Sequence, residues 1–449
     1  MNRTRGFGRR AARLLGLLGL LLPLIAACGP GEPAAQPTTP PASSSPQESA
    51  APVATTTVPE SPTPSDAAAP TDAPTTTATT TATQGAGEAN PNIPSQPTFG
   101  AVAHLYYTDA ERVLTLADIA GFEWIRQQVP WKDTEPPDRT FGFQELDKVV
   151  DTVAAKNKKL LLSVVKSPDW ATGRAGDNGL PLKNEDYGRF VEELVKRYKG
   201  KVHAIEVWNE QNLAVENGGR VAPEDASRYV ELLKEAYTRI KAVDPNVVVV
   251  SGALSSTGVT EINTAVDDIT YLKAMYEHNG GEIKNYMDAQ GYHPAAALNP
   301  PDTLYPEQPG PGCVQEPKQW CDSRTHYFRH IEDVRQVMVD NGAADKQIWI
   351  TEMGWATKNT SPGYEYGNFI TEEQQADYLE GALFRIVSQY QDYVGVAFIW
   401  NLNFAVTWGQ AGDPLHEQAS FGLLNPDWSP RPSFSRVQGW ISAQKQGQQ

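Results

Sequence analysis

From residue 99 onward the chain alternates between short apolar runs and longer stretches in which apolar residues return every third or fourth position. The runs fall at 99–106, 124–129, 160–166, 204–209, 247–252, 287–292, 348–352 and 394–400. They are too short for helices, and several are apolar at nearly every position, as strands covered on both faces require. The segments between them carry a helical period. Leu146, Val149, Val150 and Val153 share one helix face, as do Phe190, Val191, Leu194, Val195 and Tyr198, after which Gly200 offers a stop. Pro223 can open a helix whose buried stripe is Tyr229, Val230, Leu233, Tyr237 and Ile240, and segments 323–341 and 371–390 read the same way. Gly280, Gly281 and Gly342 punctuate helix ends. Eight strand–helix pairs predict a single (β/α)8 TIM barrel rather than an open doubly wound sheet. No Gly-x-Gly-x-x-Gly follows the first strand and no phosphate loop is present, which disfavours a nucleotide-binding fold.

The pattern changes upstream. Arg3, Arg5, Arg9, Arg10 and Arg13 precede an apolar stretch, 14–24, that is too short for a comfortable membrane span. It ends in Ile25-Ala26-Ala27-Cys28-Gly29, which resembles a bacterial lipobox. Residues 1–27 are therefore expected to be a lipoprotein signal peptide, with Cys28 lipidated and the mature protein anchored outside the cytoplasm on the cell membrane. A plain secretory signal with an incidental Cys28 is the alternative. Residues 28–96 are Pro, Thr, Ala and Ser with almost no large apolar side chains, a composition that cannot offset its own ordering entropy. They read as a disordered linker, leaving 97–443 as the folded domain.

A net charge of −16 argues against nucleic acid as a partner, since such binding relies on basic patches. Cys313 and Cys321 are the remaining cysteines, and in an exported chain they are expected to form a local disulfide. Metal-ligand spacings such as His-Glu-x-x-His are absent, so neither a catalytic metal nor a cofactor is expected.

Two glutamates then stand out. Glu210 closes the fourth strand in His203-Ala204-Ile205-Glu206-Val207-Trp208-Asn209-Glu210, and Glu352 closes the seventh in Ile348-Trp349-Ile350-Thr351-Glu352. A barrel presents its chemistry at the carboxyl ends of its strands, and the fourth and seventh lie across the axis from one another. Glu206, Trp208 and Glu210 share one parity along the fourth strand, but strict alternation ends at the mouth, where Asn209 and Glu210 can both reach the cleft. Two carboxyl groups facing one sugar are the minimum equipment for glycoside cleavage.

Trp208-Asn209-Glu210-Gln211-Asn212 and Thr351-Glu352-Met353-Gly354-Trp355 resemble the paired motifs of the clan A glycoside hydrolases, with family 39 and the cellulase-like family 5 as the nearest forms. Gln211 departs from the proline usual after the acid/base, which blurs the family more than the chemistry. The resemblance covers about 97–443. It implies a retaining hydrolase of β-linked oligo- or polysaccharides, with Glu352 as nucleophile and Glu210 as acid/base, their carboxyl groups about 5–5.5 Å apart. It implies an ionised Glu352 and a Glu210 whose pKa is raised by burial and by its neighbour's charge. By the same resemblance Arg126 holds the nucleophile, Asn209 meets the sugar 2-OH, Tyr292 or His293 sits against the nucleophile or the sugar, and Trp400 floors the subsite of the cleaved sugar. Trp131 and His104, near strand ends, are further substrate-binding candidates, and Glu135, Trp170 and Trp355 lie on the same face. The Pro- and Gly-rich segment 294–323 would either wall one end of the cleft or pack on the surface. The expected partners are a carbohydrate substrate and the membrane, and the protein is expected to be monomeric. A non-catalytic sugar-binding or wall-associated lipoprotein on the same barrel is the competing function.

Overall fold

The computed structural model describes residues 90–307 and 320–447. The signal, Cys28, the linker and Cys313 lie outside the described residues; Cys321 is disulfide-bonded. Eight parallel strands form the centre: β1 Thr98–Val102, β2 Trp124–Pro130, β3 Lys159–Val165, β4 Ala204–Val207, β5 Val248–Ser251, β6 Ala289–His293, β7 Gln347–Met353 and β8 Val394–Ile399. Each pairs with the next, and β8 returns to β1, so the sheet closes without an edge. The join between β5 and β6 is thin, a single bridge from Val250 to Ala289. A two-residue strand, Leu254–Ser255, extends it alongside Tyr292 and His293.

One long helix follows each strand: α1 Ala110–Ala120, α2 Gln144–Ala155, α3 Asn184–Arg197, α4 Asp225–Val243, α5 Asp268–Glu277, α6 Ile331–Asp340, α7 Glu372–Gln389 and α8 Pro432–Gly447. The stripes read from the sequence are the buried ones: α2 buries Leu146, Val149, Val150 and Val153, and α3 buries Phe190, Val191, Leu194 and Val195. Local chemistry sets the ends. Thr371 and Gln374 satisfy each other's backbone in a capping box at the start of α7. The 323–341 segment is helical only from Ile331, two 3-10 turns preceding it.

Inside the barrel, side chains stack in layers because every second residue of a strand points inward. Trp124, Trp349 and Phe398 meet edge to face as the floor, with Trp124 ring centroids 5.1 Å from Trp349 and 6.3 Å from Phe398. Gly100 on β1 makes room for them: a Cβ there would lie 2.7 Å from Trp124 Cβ and 2.8 Å from Phe398 Cδ1. Two residues further along their strands come Arg126, Ser163, Glu206 and Thr351, all fully buried. An ionic layer thus lies directly on an aromatic one, just below the mouth.

Alternation fails at two points, and both matter. After β4 the backbone of Trp208 turns left-handed at φ 75°, and that of Glu210 at φ 48°. Such conformations cost about 1–3 kcal/mol each and gather at functional sites. They carry Trp208 out of the barrel onto Tyr187, so Glu206, Trp208 and Glu210 do not share the face that strict alternation assigns them. The β7–β8 pairing shifts register between Ile348 and Ile350 and again between Ile350 and Met353. A shift of this kind re-aims side chains, and Glu352, of opposite parity to the inward Trp349 and Thr351, reaches the interior there.

Candidate active site

The site is assembled around Arg126. Its guanidinium donates from Nε to Glu206 Oε2 at 2.8 Å, from Nη1 to Glu352 Oε1 at 2.7 Å and from Nη2 to Asn209 Oδ1 at 2.7 Å. Nη2 also lies 2.7 Å from Glu206 Oε2. Burial works against its charge, but Glu206 and Glu352 more than reverse that and keep the guanidinium protonated. A fixed planar fork can serve these three side chains, from β4, the turn after it and β7, at once. The Asn209 Oδ1 contact also orients that amide, leaving Nδ2 buried with no partner within the protein.

His293 joins the two glutamates named from the sequence. Its Nδ1 is 3.1 Å from Glu210 Oε1 and its Nε2 is 3.8 Å from Glu352 Oε1. Thr351 donates its hydroxyl proton to Glu206 Oε1 at 2.7 Å, so the 3.0 Å contact between Thr351 Oγ1 and His293 Nε2 requires the ring to be the donor. One proton then lies between Nδ1 and Glu210. Burial disfavours a charged ring, but the charges of Glu352 and Glu210 win, and the His293 pKa is raised.

The sequence reading leaves the Glu352 pKa low, and on this point the structure differs. The structure raises Glu352. Burial pushes it up, His293 and Arg126 pull it down, and the nearby carboxylates of Glu210 and Glu206 push it up again.

Glu210, Glu352, His293 and Trp400 line one cavity of about 150 Å³. Trp400 stands on its wall with its ring against Phe404 at 4.8 Å, and the Trp400–Asn401 peptide is cis. Residues 294–297 also line the cavity, so the start of the 294–323 segment does border the cleft. Tyr364, Tyr366 and Glu417 line it as well. Glu417 is almost fully buried; Ser361 donates to its Oε2 at 2.9 Å, while Oε1 has no partner within the protein. Sequence reasoning missed Glu417, which opens a four-residue helical turn, Glu417–Ser420, and belongs to no motif. It also missed Glu206, visible only as an acidic residue in an otherwise apolar strand, and Glu216. The Glu216 carboxyl is buried near Glu210 and Glu352, and burial lifts its pKa to about 7.

Four sequence candidates lie elsewhere. Trp131 opens a helical turn directly after Pro130, which swings its ring away from the cleft into the layer beneath α3. There it packs on Trp170, Tyr187 and Phe190 and donates to Glu135 at 2.7 Å. Trp355 is buried likewise, its indole N–H on Asn299 O. His104 does not line the cavity. It leans on Phe404 and Tyr106, and burial lowers its pKa to about 4, so it is neutral. Tyr292 precedes His293 on β6, so alternation points it outward, where its hydroxyl donates to Asp268 Oδ2 at 2.9 Å.

Behind Tyr292 lies a buried ionic group. His330 bridges Asp268 Oδ2 at 3.1 Å and Asp333 Oδ2 at 2.7 Å. Burial opposes the imidazolium, but both aspartates favour it, and the pKa rises to about 9. A pKa raised in the folded state contributes stability that is full below the unfolded value of about 6.5 and is lost as pH climbs through 9. We expect a loss of about 3 kcal/mol between those limits. Denaturant unfolding at pH 6 and pH 9.5 checks this. His330→Gln should flatten the difference, and an equal slope in both proteins would contradict the assignment.

Among the described residues, Glu231, His278 and Glu282 have ligating atoms within 4.8 Å of one another. They lie on the outer helices and are engaged by their own contacts: His278 with Glu231 at 2.8 Å and Lys234 with Glu282 at 2.9 Å.

Comparison with known proteins converges on this architecture. The family model for cellulase (glycosyl hydrolase family 5) matches residues 87–405. Endo-1,4-beta-xylanase C of Paenibacillus barcinonensis is 26% identical over 193 residues, which is 37% of this chain and 17% of that protein. A family 39 glycoside hydrolase from Bacteroides cellulosilyticus WH2 superposes with a TM-score of 0.56 at 22% identity, over 78% of this chain and 64% of the other. Exo-beta-1,4-mannosidase Op5Man5 from Opitutaceae bacterium strain TAV5 superposes at 0.51 and 15% identity, over 79% of this chain and 60% of the other. The chain thus spans less than two thirds of the length of each of these relatives, and the two structural likenesses speak to the fold.

Proposed function

The chain belongs to the cellulase family, glycosyl hydrolase family 5, and from that premise we propose that it hydrolyses β-glycosidic bonds of an oligo- or polysaccharide with retention of configuration. The observation that carries this reading is the joining of Glu210 and Glu352 through one imidazole across one sugar-sized cavity. Glu352, anchored by Arg126, attacks the anomeric carbon. The C–O bond to the leaving group breaks as Glu210 gives that oxygen its proton. Glu210 then takes a proton from water, which displaces Glu352 and regenerates both groups. His293 sits where it can pass charge between the two carboxyls as their roles alternate. The unpartnered Nδ2 of Asn209 is free to donate to the sugar 2-OH, a bond that tightens as the oxocarbenium ion forms. Trp400 offers an aromatic face to the sugar's C–H side. The unpartnered Oε1 of Glu417 is a further acceptor for a hydroxyl.

Proton NMR of the first product tests the stereochemistry. A β-glycoside should release the β-hemiacetal first, with the α anomer growing in only by mutarotation. Initial release of the α anomer would point to direct displacement by water and end the double-displacement reading.

The basic and apolar leader and the lipobox-like residues support export and attachment to a bacterial membrane through Cys28, with residues 28–96 as the tether. Radiolabelled palmitate should be incorporated by the wild-type chain and not by Cys28→Ala; equal labelling of both would contradict the anchor.

A further inference from the structure

The catalytic pair has a second, differently charged neighbourhood. Pro130 of β2 pairs with Val165 of β3, and Val164 pairs with Val207 of β4, so these three strand ends form one continuous arc of the rim. Lys132 follows the first end and Lys166 the second, their backbones joined by a 3.0 Å hydrogen bond from Lys132 N to Lys166 O. Glu216 follows the third end and is held there through its carbonyl, which accepts from Trp208 Nε1 at 3.1 Å. Both lysines are half-buried, and among the described residues neither ammonium has a salt bridge or hydrogen bond. The molecule carries a net charge of −16 and most of its cations are paired with carboxylates; other unpaired ones, such as Lys183, Lys273 and Lys358, are exposed, unlike these two. Lys166 also adopts a left-handed backbone at φ 60°, a strain that residues outside glycine rarely carry without a functional return.

Resting on the hydrolase reading above, we propose that Lys132, Lys166 and Glu216 form a subsite for a negatively charged sugar, a uronate, in the chain that is cleaved. Neither ammonium is in direct ion-pair contact, Glu216 being felt only at a distance, and a sugar carboxylate would supply charge-assisted hydrogen bonds to both. Glu216 suits a carboxylate partner and would repel one only when ionised. Burial raises its pKa to about 7, and Glu210 and Glu352 add to the rise while Lys166 and Lys132 oppose it, so in mildly acidic solution it is a donor. An acidic protein otherwise repels acidic glycans, which gives two free cations beside the cleft a defined use. A neutral sugar in their place would leave both charges uncompensated.

Binding is measured by titration calorimetry on the full chain carrying Glu352→Gln. The probes are glucuronate-bearing β-linked oligosaccharides and the same preparation after reduction of its carboxyl groups to alcohols. The uronate form should bind about tenfold or more tightly, one good charged contact being worth that factor. The preference should shrink with added salt and fall about tenfold when Lys132→Ala and Lys166→Ala are combined. Equal affinity for the two preparations, or a preference that survives the double substitution, overturns the subsite. Turnover by the wild-type chain is read separately. A uronate preference in binding without hydrolysis of either preparation would count against the hydrolase and leave the subsite standing.

Discussion

Glu352→Gln should abolish turnover, with kcat falling by about 10⁴-fold or more, the scale on which covalent nucleophiles are missed. The substitution keeps an oxygen in reach of Arg126 Nη1, which now donates at 2.7 Å, so the barrel should retain its unfolding midpoint. Glu210→Ala should behave differently. Loss of an acid/base costs about 10²–10⁴-fold, but the penalty should nearly vanish in the first step for leaving groups that need no proton. Deglycosylation then becomes limiting, and azide, a nucleophile that needs no general base, should restore it by giving a β-glycosyl azide. The pair of outcomes separates the two roles. Comparable activity losses on every leaving group, with no azide product in either variant, would show that the two glutamates do not divide the work in this way.

Arg126→Met should produce the largest change in stability, about 3–5 kcal/mol, because it leaves the Glu206 carboxylate buried without its cation. It should also remove catalysis, since Glu352 and Asn209 lose the donor that positions them. The double variant Arg126→Met with Glu206→Gln distinguishes these effects. The amide that replaces the Glu206 carboxylate can still accept from Thr351, and the one carboxylate left without Arg126, Glu352, is partly exposed and keeps His293 as a neighbour, so most of the stability should return while activity does not. If the single variant unfolds at the wild-type denaturant midpoint, the ionic layer does not have the role the packing gives it.

The elements were legible because burial imposes period. The eight apolar runs became eight barrel strands, and the stripes on 146–153 and 190–198 became the buried faces of α2 and α3. Glu210, Glu352, Asn209, His293 and Trp400 were legible as well, since each lies at or just beyond the end of a recognisable strand, whereas Arg126, placed by resemblance at the end of the second strand, is the third residue of β2. What escaped depended on local turns or distant partners. Proline followed by a helical turn moved Trp131 into the core, and one step along β6 separated His293 in the site from Tyr292 outside it. Glu206 reads as an oddity in an apolar strand until Arg126, 80 residues away, comes to meet it. Glu216 and Glu417 carry no local signal, because their burial is made by segments far from them in sequence. The raised pKa of Glu352 could not be read either. It turns on four neighbours of Glu352 that only the fold brings together.

The central claim is that the Glu352 carboxylate becomes covalently bound to the sugar. It is tested most directly by inactivating the protein with an activated 2-deoxy-2-fluoro glycoside of whichever sugar its aryl glycosides show it to cleave, followed by peptide mapping by mass spectrometry. One sugar should be found, on the peptide containing Thr351-Glu352-Met353 and attached at Glu352. A label on any other residue, or turnover of the natural glycoside with no label under inactivating conditions, would contradict the account.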